Sequence, residues 1–482
     1  MQIWLGVENF AKIEHAKVCM NRYTLLVGQN NSGKTFLMQL MQGVTAKLAS
    51  LIRVDVMDIF FHEHAGEYDS YMLSSKNIEL FVSYLNEKLS KEKNHIVREI
   101  FGKDISIDQL YMDISMTEDV FYMLYIFDGS KNYVKNIGTM IDAKLMHDFG
   151  DLFSESYPSR IYVINKIERN REINTLFVGS AGSDHFDLKM IAYDFVDKVL
   201  NMNSLFLPSS RTGLLLLYRD FFVNKTDYAI SYGMGEGRIL NNRDMYGGLT
   251  KPTYEFLRFL QMYSESKNEK EVFKEELQFF EDHVIDGHIN VDNQKIFFYH
   301  SQNDTYETPM YLASSMINET APIAMAVMSA RQYRRLVIDE IEASLHPEKQ
   351  LELVRFLNRI YRKGMSLIVS THSDTFVSKM NNLYLLSQYK QRLNQSDSET
   401  LQETCSEDGS EMTKILKKMG LELDDLIDAE DLYVYEFVIQ PGGKSVVKEI
   451  YGEEKTGFQF DLFTDSAMKI YQENLKIGEL PL

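Results

Sequence analysis

The chain has 482 residues, of which 44% are hydrophobic and 25% charged, a composition typical of globular proteins with room for two or three domains. Its 70 acidic and 51 basic residues give a formal net charge of −19 at pH 7, so nucleic acid binding stays possible but has no support from the overall charge. Its two cysteines exclude a disulfide framework and a cysteine-rich zinc site.

The first 27 residues predict three strands, over residues 3–10, 12–18 and 23–27. The third strand leads directly into the run Gly28-Gln29-Asn30-Asn31-Ser32-Gly33-Lys34-Thr35. Apolar residues then recur at helical spacing. A strand, a glycine-bounded loop ending in Lys-Thr and a helix are typical of a P-loop, which binds the phosphates of a nucleoside triphosphate.

Each P-loop residue type has a physical role in this interpretation. The glycines allow backbone N–H groups to surround the phosphates, the Lys34 ammonium reaches the β- and γ-phosphates, and the Thr35 hydroxyl binds Mg²⁺. We therefore expect nucleotide contacts from Gly28, Asn30, Asn31, Ser32, Gly33, Lys34, Thr35 and Phe36.

The middle of the chain mixes strands and helices without heptad repeats. Residues 78–89 predict an amphipathic helix, and residues 121–127, 160–167, 175–178 and 205–207 predict strands. The last of these strands is followed by Pro208-Ser209-Ser210-Arg211. Residues 253–284 predict helix, residues 289–299 and 308–312 predict a hairpin, and residues 317–328 predict helix.

A second set of charged residues follows two further predicted strands. Residues 336–340 form a buried-strand pattern that ends in Asp339 and Glu340, and residues 365–369 form another that leads to His372. The predicted helix 348–361 joins them, so both strands end at the same edge of a parallel sheet. We expect Asp339 to hold Mg²⁺, Glu340 to polarise the attacking water, and His372 to contact the γ-phosphate or that water.

These motifs, with Leu345-His346-Pro347 and Ser370-Thr371-His372-Ser373, resemble the ABC-type ATPases of the OLD, RecF and SMC group. The resemblance is particularly to the short AAA-labelled forms found in bacterial genomes, and it includes the stand-alone ATPases of bacterial antiphage defence modules. The resemblance implies an α/β fold class, an ABC-type P-loop ATPase head split by a large mixed helical and strand insertion. The absence of heptads argues against SMC relatives with a long coiled coil.

The resemblance also implies a dimer in which two heads enclose two ATP molecules. A Ser-Gly signature turn of one head then contacts the γ-phosphate bound to the other head. The best match places Ser314 and Ser315 in this role, although Met316 stands where the family has glycine and could hinder close approach. Residues 343–346 correspond to the loop that faces the partner head. Arg211 is either a phosphate sensor or a member of an ordinary ion pair.

These observations predict four parts of the chain. Residues 1–50 form the first part of the head with the P-loop, and residues 51–288 form the insertion with further head strands and a helical subdomain. Residues 289–390 complete the head with the signature-like turn, Asp339–Glu340 and His372. Residues 391–482 form an acidic loop and a capping region. The carboxylates Glu422, Asp424, Asp425 and Asp428 are interpreted as a solvated helical face rather than a nuclease site.

We expect a Mg²⁺-dependent ATPase with Glu340, His372 and Lys34 as catalytic residues. It would form homo-oligomers through its heads and switch a separate effector protein, a nuclease or toxin, in antiphage defence. A RecF-like DNA repair ATPase and a non-hydrolysing nucleotide-bound scaffold are the alternatives. The longest aliphatic run, residues 214–217, is too short to cross a bilayer, and the first residues do not resemble a signal peptide, so we expect a cytoplasmic protein without membrane contact.

Overall fold

A computed structural model describes the central parts of the fold. The described residues are 2–52, 75–115, 203–218, 248–263, 272–291, 297–301, 308–329, 333–399 and 411–460, with the strand segments 62–64, 70–73, 120–127, 133–135, 160–168 and 171–179. No helix in this part of the chain combines the length and apolar character that a membrane span needs.

Eighteen strands lie within the described residues. Their bounds are β1 Gln2–Phe10, β2 Ile13–Cys19, β3 Tyr23–Gly28, β4 His62–His64, β5 Ser70–Leu73, β6 Gln109–Ser115, β7 Val120–Phe127, β8 Tyr133–Lys135, β9 Arg160–Glu168, β10 Arg171–Gly179, β11 Ser204–Leu207, β12 Gly287–Val291, β13 Phe297–Ser301, β14 Thr308–Pro309, β15 Arg335–Ile338, β16 Ser366–Thr371, β17 Leu432–Ile439 and β18 Ser445–Ile450.

The α-helices are α1 Lys34–Leu51, α2 Ser75–Phe101, α3 Lys251–Met262, α4 Lys274–Phe279, α5 Ser315–Val327, α6 Pro347–Arg362, α7 Asp374–Glu399 and α8 Glu411–Lys418. A π-helical segment, Phe280–Ile285, continues α4, and 3-10 turns occupy Met310–Leu312, Leu423–Asp425 and Ala429–Asp431. Residues 211–218 are also helical.

A nine-stranded sheet has the order β11-β15-β16-β3-β17-β18-β2-β1-β6. The neighbours from β11 to β17 all pair in parallel, and β17 pairs with β18 in antiparallel fashion. Strands β3, β15 and β16 are buried along their whole length, as expected for parallel strands covered on both faces. Because β3 and β16 are neighbours from distant parts of the chain, the predicted α/β head, split by an insertion, is confirmed.

Contacts divide the chain into two compact units. One contains Met1–Trp4, Thr45–Glu92 and Tyr111–Met202, and the other contains Leu5–Val44, Lys93–Leu110 and Asn203–Leu482. The first unit holds a six-stranded antiparallel sheet of order β10-β9-β7-β5-β4, with β8 paired to β7. In the second unit, one hydrophobic core packs helices α3, α5, α6 and α7 against the parallel strands.

The structure differs from the sequence-based predictions mainly toward the C-terminus. Strands β17 and β18 lie inside the main sheet, with β17 directly beside β3, so this part of residues 391–482 completes the sheet instead of capping it. Helix α7 extends to Glu399, so residues 394–399 are helical where we expected an acidic loop. Residues 400–410 of that loop lie outside the described part. The predicted helix 78–89 is a longer helix, Ser75–Phe101.

The interpretation of the C-terminal carboxylates as a solvated helical face is wrong for Asp425. Its side chain is fully buried and accepts hydrogen bonds from Arg359 Nε at 2.7 Å and Arg355 Nε at 2.9 Å. Burial alone would raise the pKa of Asp425, but the hydrogen bonds from these two arginines outweigh it and hold the pKa below its ordinary value. Asp425 therefore ties the 3-10 turn Leu423–Asp425 to helix α6.

We expect Asp425→Ala to lower the free energy of unfolding by about 3 kcal/mol, because it leaves two arginines without their buried counter-charge. The neighbouring variant Asp424→Ala is the control, since the Asp424 side chain is 58% exposed and forms only a surface pair with Arg362, so we expect a loss below about 1 kcal/mol. Urea denaturation followed by circular dichroism measures both. Equal losses in the two variants would contradict this role.

Candidate active site

The loop between β3 and α1 contains two residues with left-handed backbone. Asn31 and Gly33 have φ of 63° and 101°, and conformations of this kind are common in backbone turns whose successive N–H groups bind anions. Gln29, Asn30, Asn31 and Thr35 are exposed, whereas Ser32 and Lys34 are buried. The α1 N-terminus adds its partial positive charge at the same place.

Gly28 has a second role that the sequence pattern did not indicate. A Cβ atom at Gly28 would lie 2.7 Å from the Cβ of Phe437 on β17, which is shorter than any normal carbon–carbon contact. Glycine at this position is therefore required by the packing of β17 against β3, as well as by the turn. No local motif predicts this, since Phe437 lies far along the chain.

Lys34 is held within the loop itself. Its Nζ donates hydrogen bonds to the Gly28 carbonyl at 2.8 Å and the Gln29 carbonyl at 2.9 Å. Burial lowers the pKa of the ammonium to about 8, although the carboxylates of Asp339, Glu340 and Glu342 oppose the shift. Lys34 therefore lies within the electrostatic influence of these three carboxylates, with a pKa only slightly above neutral pH.

Thr35 and Asp339 are brought into direct contact. The Thr35 hydroxyl donates to Asp339 Oδ2 at 2.7 Å, and the Ser370 hydroxyl donates to Asp339 Oδ1 at 2.6 Å. The parallel pairings β15–β16 and β16–β3 place these residues at one edge of the sheet. Ser370 was not predicted, although it stands two residues before His372 in the motif.

The donor set at Thr35 and Asp339 fits Mg²⁺. A hydroxyl and a carboxylate are hard oxygen ligands, and Mg²⁺ usually takes few protein ligands and completes its octahedron with phosphate oxygens and water. No group of three or more His, Cys, Asp or Glu side chains arranged for a metal ion occurs within the described residues. A cation at this edge would therefore depend on the nucleotide for most of its ligands.

Glu340 lies immediately beyond Asp339 in an unusual backbone conformation. Its φ is 46°, which is uncommon for a residue other than glycine, and its N–H donates to Ser370 Oγ at 2.9 Å. The side chain is 43% exposed, and Oε1 lies 3.7 Å from His372 Nε2. Glu340 is therefore available to a water molecule outside the sheet edge.

His372 is fixed on both sides. Its backbone N–H donates to Glu342 Oε1 at 2.6 Å, and its Nδ1 lies 3.5 Å from Lys34 Nζ. Burial lowers the pKa of His372, and the charge of Lys34 lowers it further, against the opposing carboxylates Glu342 and Glu340. The neutral imidazole is favoured at neutral pH. Glu342, which holds the backbone of this histidine, was not predicted.

The side chains of Phe36 and Arg211 both pack inside the protein. The Phe36 ring stacks on Phe101, with centroids 5.5 Å apart, and meets Phe10 edge-on at 6.3 Å, so its aromatic face packs within the protein. The Arg211 side chain is fully buried and pairs with Glu319, with Nε 3.1 Å from Oε2. Of the two roles considered for Arg211, the geometry matches the ion pair.

The signature-like residues lie at the start of α5. Ser314 is the N-cap, and its Oγ accepts the Ile317 N–H at 3.4 Å. Ser314 and Ser315 are both exposed. Met316 lies in the first helical turn and packs against the hydrophobic core, so the hindrance expected from its side chain is reduced.

The lowered pKa of Lys34 predicts a pH dependence of nucleotide binding. Only the ammonium form attracts phosphate, so ATP affinity should be constant well below pH 8 and weaken above it, approaching about tenfold per pH unit. Isothermal titration across this range measures the effect. Lys34→Arg is the control, because its guanidinium stays charged and its affinity should not change with pH. An affinity of the wild type that stays constant far above pH 8 would contradict the assignment.

Comparison with known families identifies part of the chain. Residues 255–378 match the family described as "AAA domain, putative AbiEii toxin, Type IV TA system". The matched range contains α5, Asp339, Glu340 and His372, and the match confirms the predicted class of ATPase domain over this range. A search of curated proteins finds no match.

Two solved structures show a distant likeness. The SMC head domain from Thermotoga maritima has 10% sequence identity and a TM-score of 0.32, over 93% of this chain and 99% of that chain. An Smc head domain with an extended coiled coil, bound to the C-terminal domain of ScpA and derived from Pyrococcus furiosus, has 11% identity and a TM-score of 0.32 over 98% of both chains. Likenesses at these TM-scores do not bear on activity.

Proposed function

We propose that this chain, which carries an AAA-type ATPase domain over residues 255–378, binds and hydrolyses ATP and acts as a switch through association of two copies. ATP binding closes the pair, hydrolysis opens it, and a separate effector protein, a nuclease or toxin, responds. Bacterial antiphage defence is the setting we propose.

The convergence of five side chains at one sheet edge carries the proposal. Lys34 and Thr35 come from the loop after β3, Asp339 and Glu340 follow β15, and His372 follows β16. Hydrogen bonds join Thr35 to Asp339 and place Lys34 near His372. Phosphoryl transfer to water needs this set: a cation for the γ-phosphate, ligands for the metal ion, and a base for the water.

Each residue at this sheet edge would have a separate role in ATP binding or hydrolysis. Lys34 would bind the β- and γ-phosphates, and Thr35 and Asp339 would hold Mg²⁺, which neutralises phosphate charge when bound. Glu340 would accept a proton from the attacking water. The neutral His372 would donate from one ring nitrogen to the γ-phosphate or the water, while Glu342 keeps its backbone in place.

Exposed groups at the start of α5 support the association of two copies. Ser314 and Ser315 present hydroxyls at the N-terminus of a 13-residue helix, where an anion is favoured. Beside them, Tyr311 and Leu312 are 66% and 68% exposed. Large exposed apolar side chains next to such an N-terminus suit an interface. We propose that the serines of one copy contact the γ-phosphate bound to the other.

A complementation experiment tests both the ATPase activity and the paired site. Lys34→Ala removes the phosphate-binding lysine of one copy, and Ser315→Arg blocks the contact that the copy offers to its partner. Each variant alone should have no measurable turnover of Mg-ATP. An equal mixture should recover about a quarter of the wild-type rate, because half of the random pairs hold one intact site of two.

The control is a mixture of Lys34→Ala with Glu340→Gln. Lys34 and Glu340 act on the nucleotide bound to their own copy. Every copy in this mixture lacks one of the two residues, so no pair contains an intact site and no recovery is expected. Absence of turnover by the wild type, with ATP bound, would favour the non-hydrolysing scaffold. Full activity of Ser315→Arg alone would contradict the contact between copies.

A further inference from the structure

Arg211 is a buried cation with several hydrogen-bond partners, yet it has no place in the proposed chemistry. Its side chain is fully buried, and it follows β11 at the start of the helical residues 211–218. Burial lowers the pKa of the guanidinium, against the charges of Glu319 and Asp339. An ion of this kind is retained only where several partners compensate its desolvation.

One side of the guanidinium binds the backbone of Asp339 and Glu340. Arg211 Nη1 donates to the Asp339 carbonyl at 2.8 Å, and Nη2 donates to the Glu340 carbonyl at 3.2 Å. Ser370 Oγ accepts the Glu340 N–H from the opposite direction. The uncommon positive φ of Glu340 is thus maintained by hydrogen bonds before and after this residue.

The other side of the guanidinium binds helix α5. Arg211 Nε donates to the Glu319 carbonyl at 2.7 Å and lies 3.1 Å from Glu319 Oε2. The next residue, Thr212, donates its N–H to Glu319 Oε1 at 3.0 Å and its hydroxyl to the Ser315 carbonyl at 3.5 Å. Residues 211 and 212 therefore hold the first turns of α5, which begin at Ser315.

We infer that Arg211 is a positioning residue that couples the N-terminus of α5 to the backbone of Glu340. The guanidinium is planar and its N–H groups diverge at fixed angles, so a shift of α5 against β15 changes the hydrogen bonds to the Glu340 carbonyl. When a partner copy makes contact at Ser315, the position of the Glu340 carboxylate in the chain that carries this serine then changes. The coupling rests on the proposed function, and it links the two sites of a pair.

Arg211→Lys tests the coupling, because an ammonium keeps the charge but cannot span both sets of carbonyls. We expect kcat for Mg-ATP to fall by about 30-fold, as small displacements of catalytic groups do, while the Kd for the slowly hydrolysed analogue ATPγS changes less than about threefold. Arg335→Lys is the matched control. Arg335 is buried like Arg211, but it is the first residue of β15, at the end of the strand away from Asp339 and Glu340, and it donates a hydrogen bond to Ser204 Oγ.

The decisive measurement is a double-mutant cycle with Ser315→Ala. In the wild-type background, Ser315→Ala should lower kcat by about tenfold. In the Arg211→Lys background it should lower kcat by only about threefold, because the direct contact of Ser315 with the partner's γ-phosphate remains while the path from Ser315 to Glu340 is already broken. Effects that multiply would overturn the coupling alone. A Ser315→Ala variant with wild-type kcat would overturn both the coupling and the proposed contact between copies.

Stability is checked by thermal unfolding of every variant. Arg335→Lys should lower the stability about as much as Arg211→Lys does, but it should keep kcat within about twofold of the wild type. An equal loss of kcat in both variants would show a general effect of replacing a buried arginine and would overturn the coupling. If Arg211→Lys does not fold, Glu319→Gln replaces it in the cycle, because it removes the charge that pairs with Arg211 Nε while its amide oxygen can still accept the Thr212 N–H. A Ser315→Ala effect smaller than in the wild type supports the coupling, and an undiminished effect overturns it.

Discussion

Lys34→Ala is expected to weaken ATP binding by about 100-fold and to reduce turnover to background. The Lys34 ammonium forms charge-assisted hydrogen bonds with phosphate oxygens in our proposal, and two such bonds contribute about 3 kcal/mol. The Gly28 and Gln29 carbonyls accept hydrogen bonds from Lys34 Nζ, so phosphate oxygens compete with these acceptors for the ammonium. Isothermal titration with Mg-ATP and phosphate release assays measure the two effects.

Lys417→Ala is the control for this variant. Lys417 is an exposed lysine of helix α8, so its replacement removes one positive charge of the same type away from the loop. It should leave both ATP affinity and turnover unchanged. ATP binding by Lys34→Ala at the wild-type affinity would contradict the P-loop assignment.

Glu340→Gln is expected to lower kcat by about 100- to 1,000-fold while ATP binding is retained, because the amide cannot accept a proton from water. Its size matches that of the glutamate, so the hydrogen bond from the Glu340 N–H to Ser370 Oγ and the bond from Arg211 to its carbonyl persist. The variant should therefore accumulate the ATP-bound pair. Mass measurement with and without Mg-ATP detects that state.

The matched control is Glu348→Gln. Glu348 is exposed in the first turn of α6, outside the carboxylate cluster, and its replacement should change kcat less than about twofold. Turnover of Glu340→Gln at the wild-type rate would assign the base to another residue. A variant that binds no ATP would point instead to damage of the loop.

Local pattern was sufficient to predict the strand, turn and helix that form the proposed phosphate-binding loop. The strand, the glycine-bounded turn and the helix are neighbours in the chain, and each is specified by residues that it contains itself. The same holds for the strand that ends at Asp339 and for the strand that leads to His372, whose helical connection implies a parallel arrangement. Hydrophobic spacing and turn chemistry therefore predict that one edge of the parallel sheet carries Lys34, Thr35, Asp339, Glu340 and His372.

The residues that hold this edge in place depend on contacts between distant parts of the chain. Charged groups at strand ends are a local property, so the residue types and their order specify the proposed chemistry of the site. Contacts in the folded chain place β17 beside β3 and require glycine at position 28, bury Asp425 between arginines, and join α5 to Glu340 through Arg211. Burial and long-range hydrogen bonding depend on which surfaces pack together, and no short pattern encodes that choice.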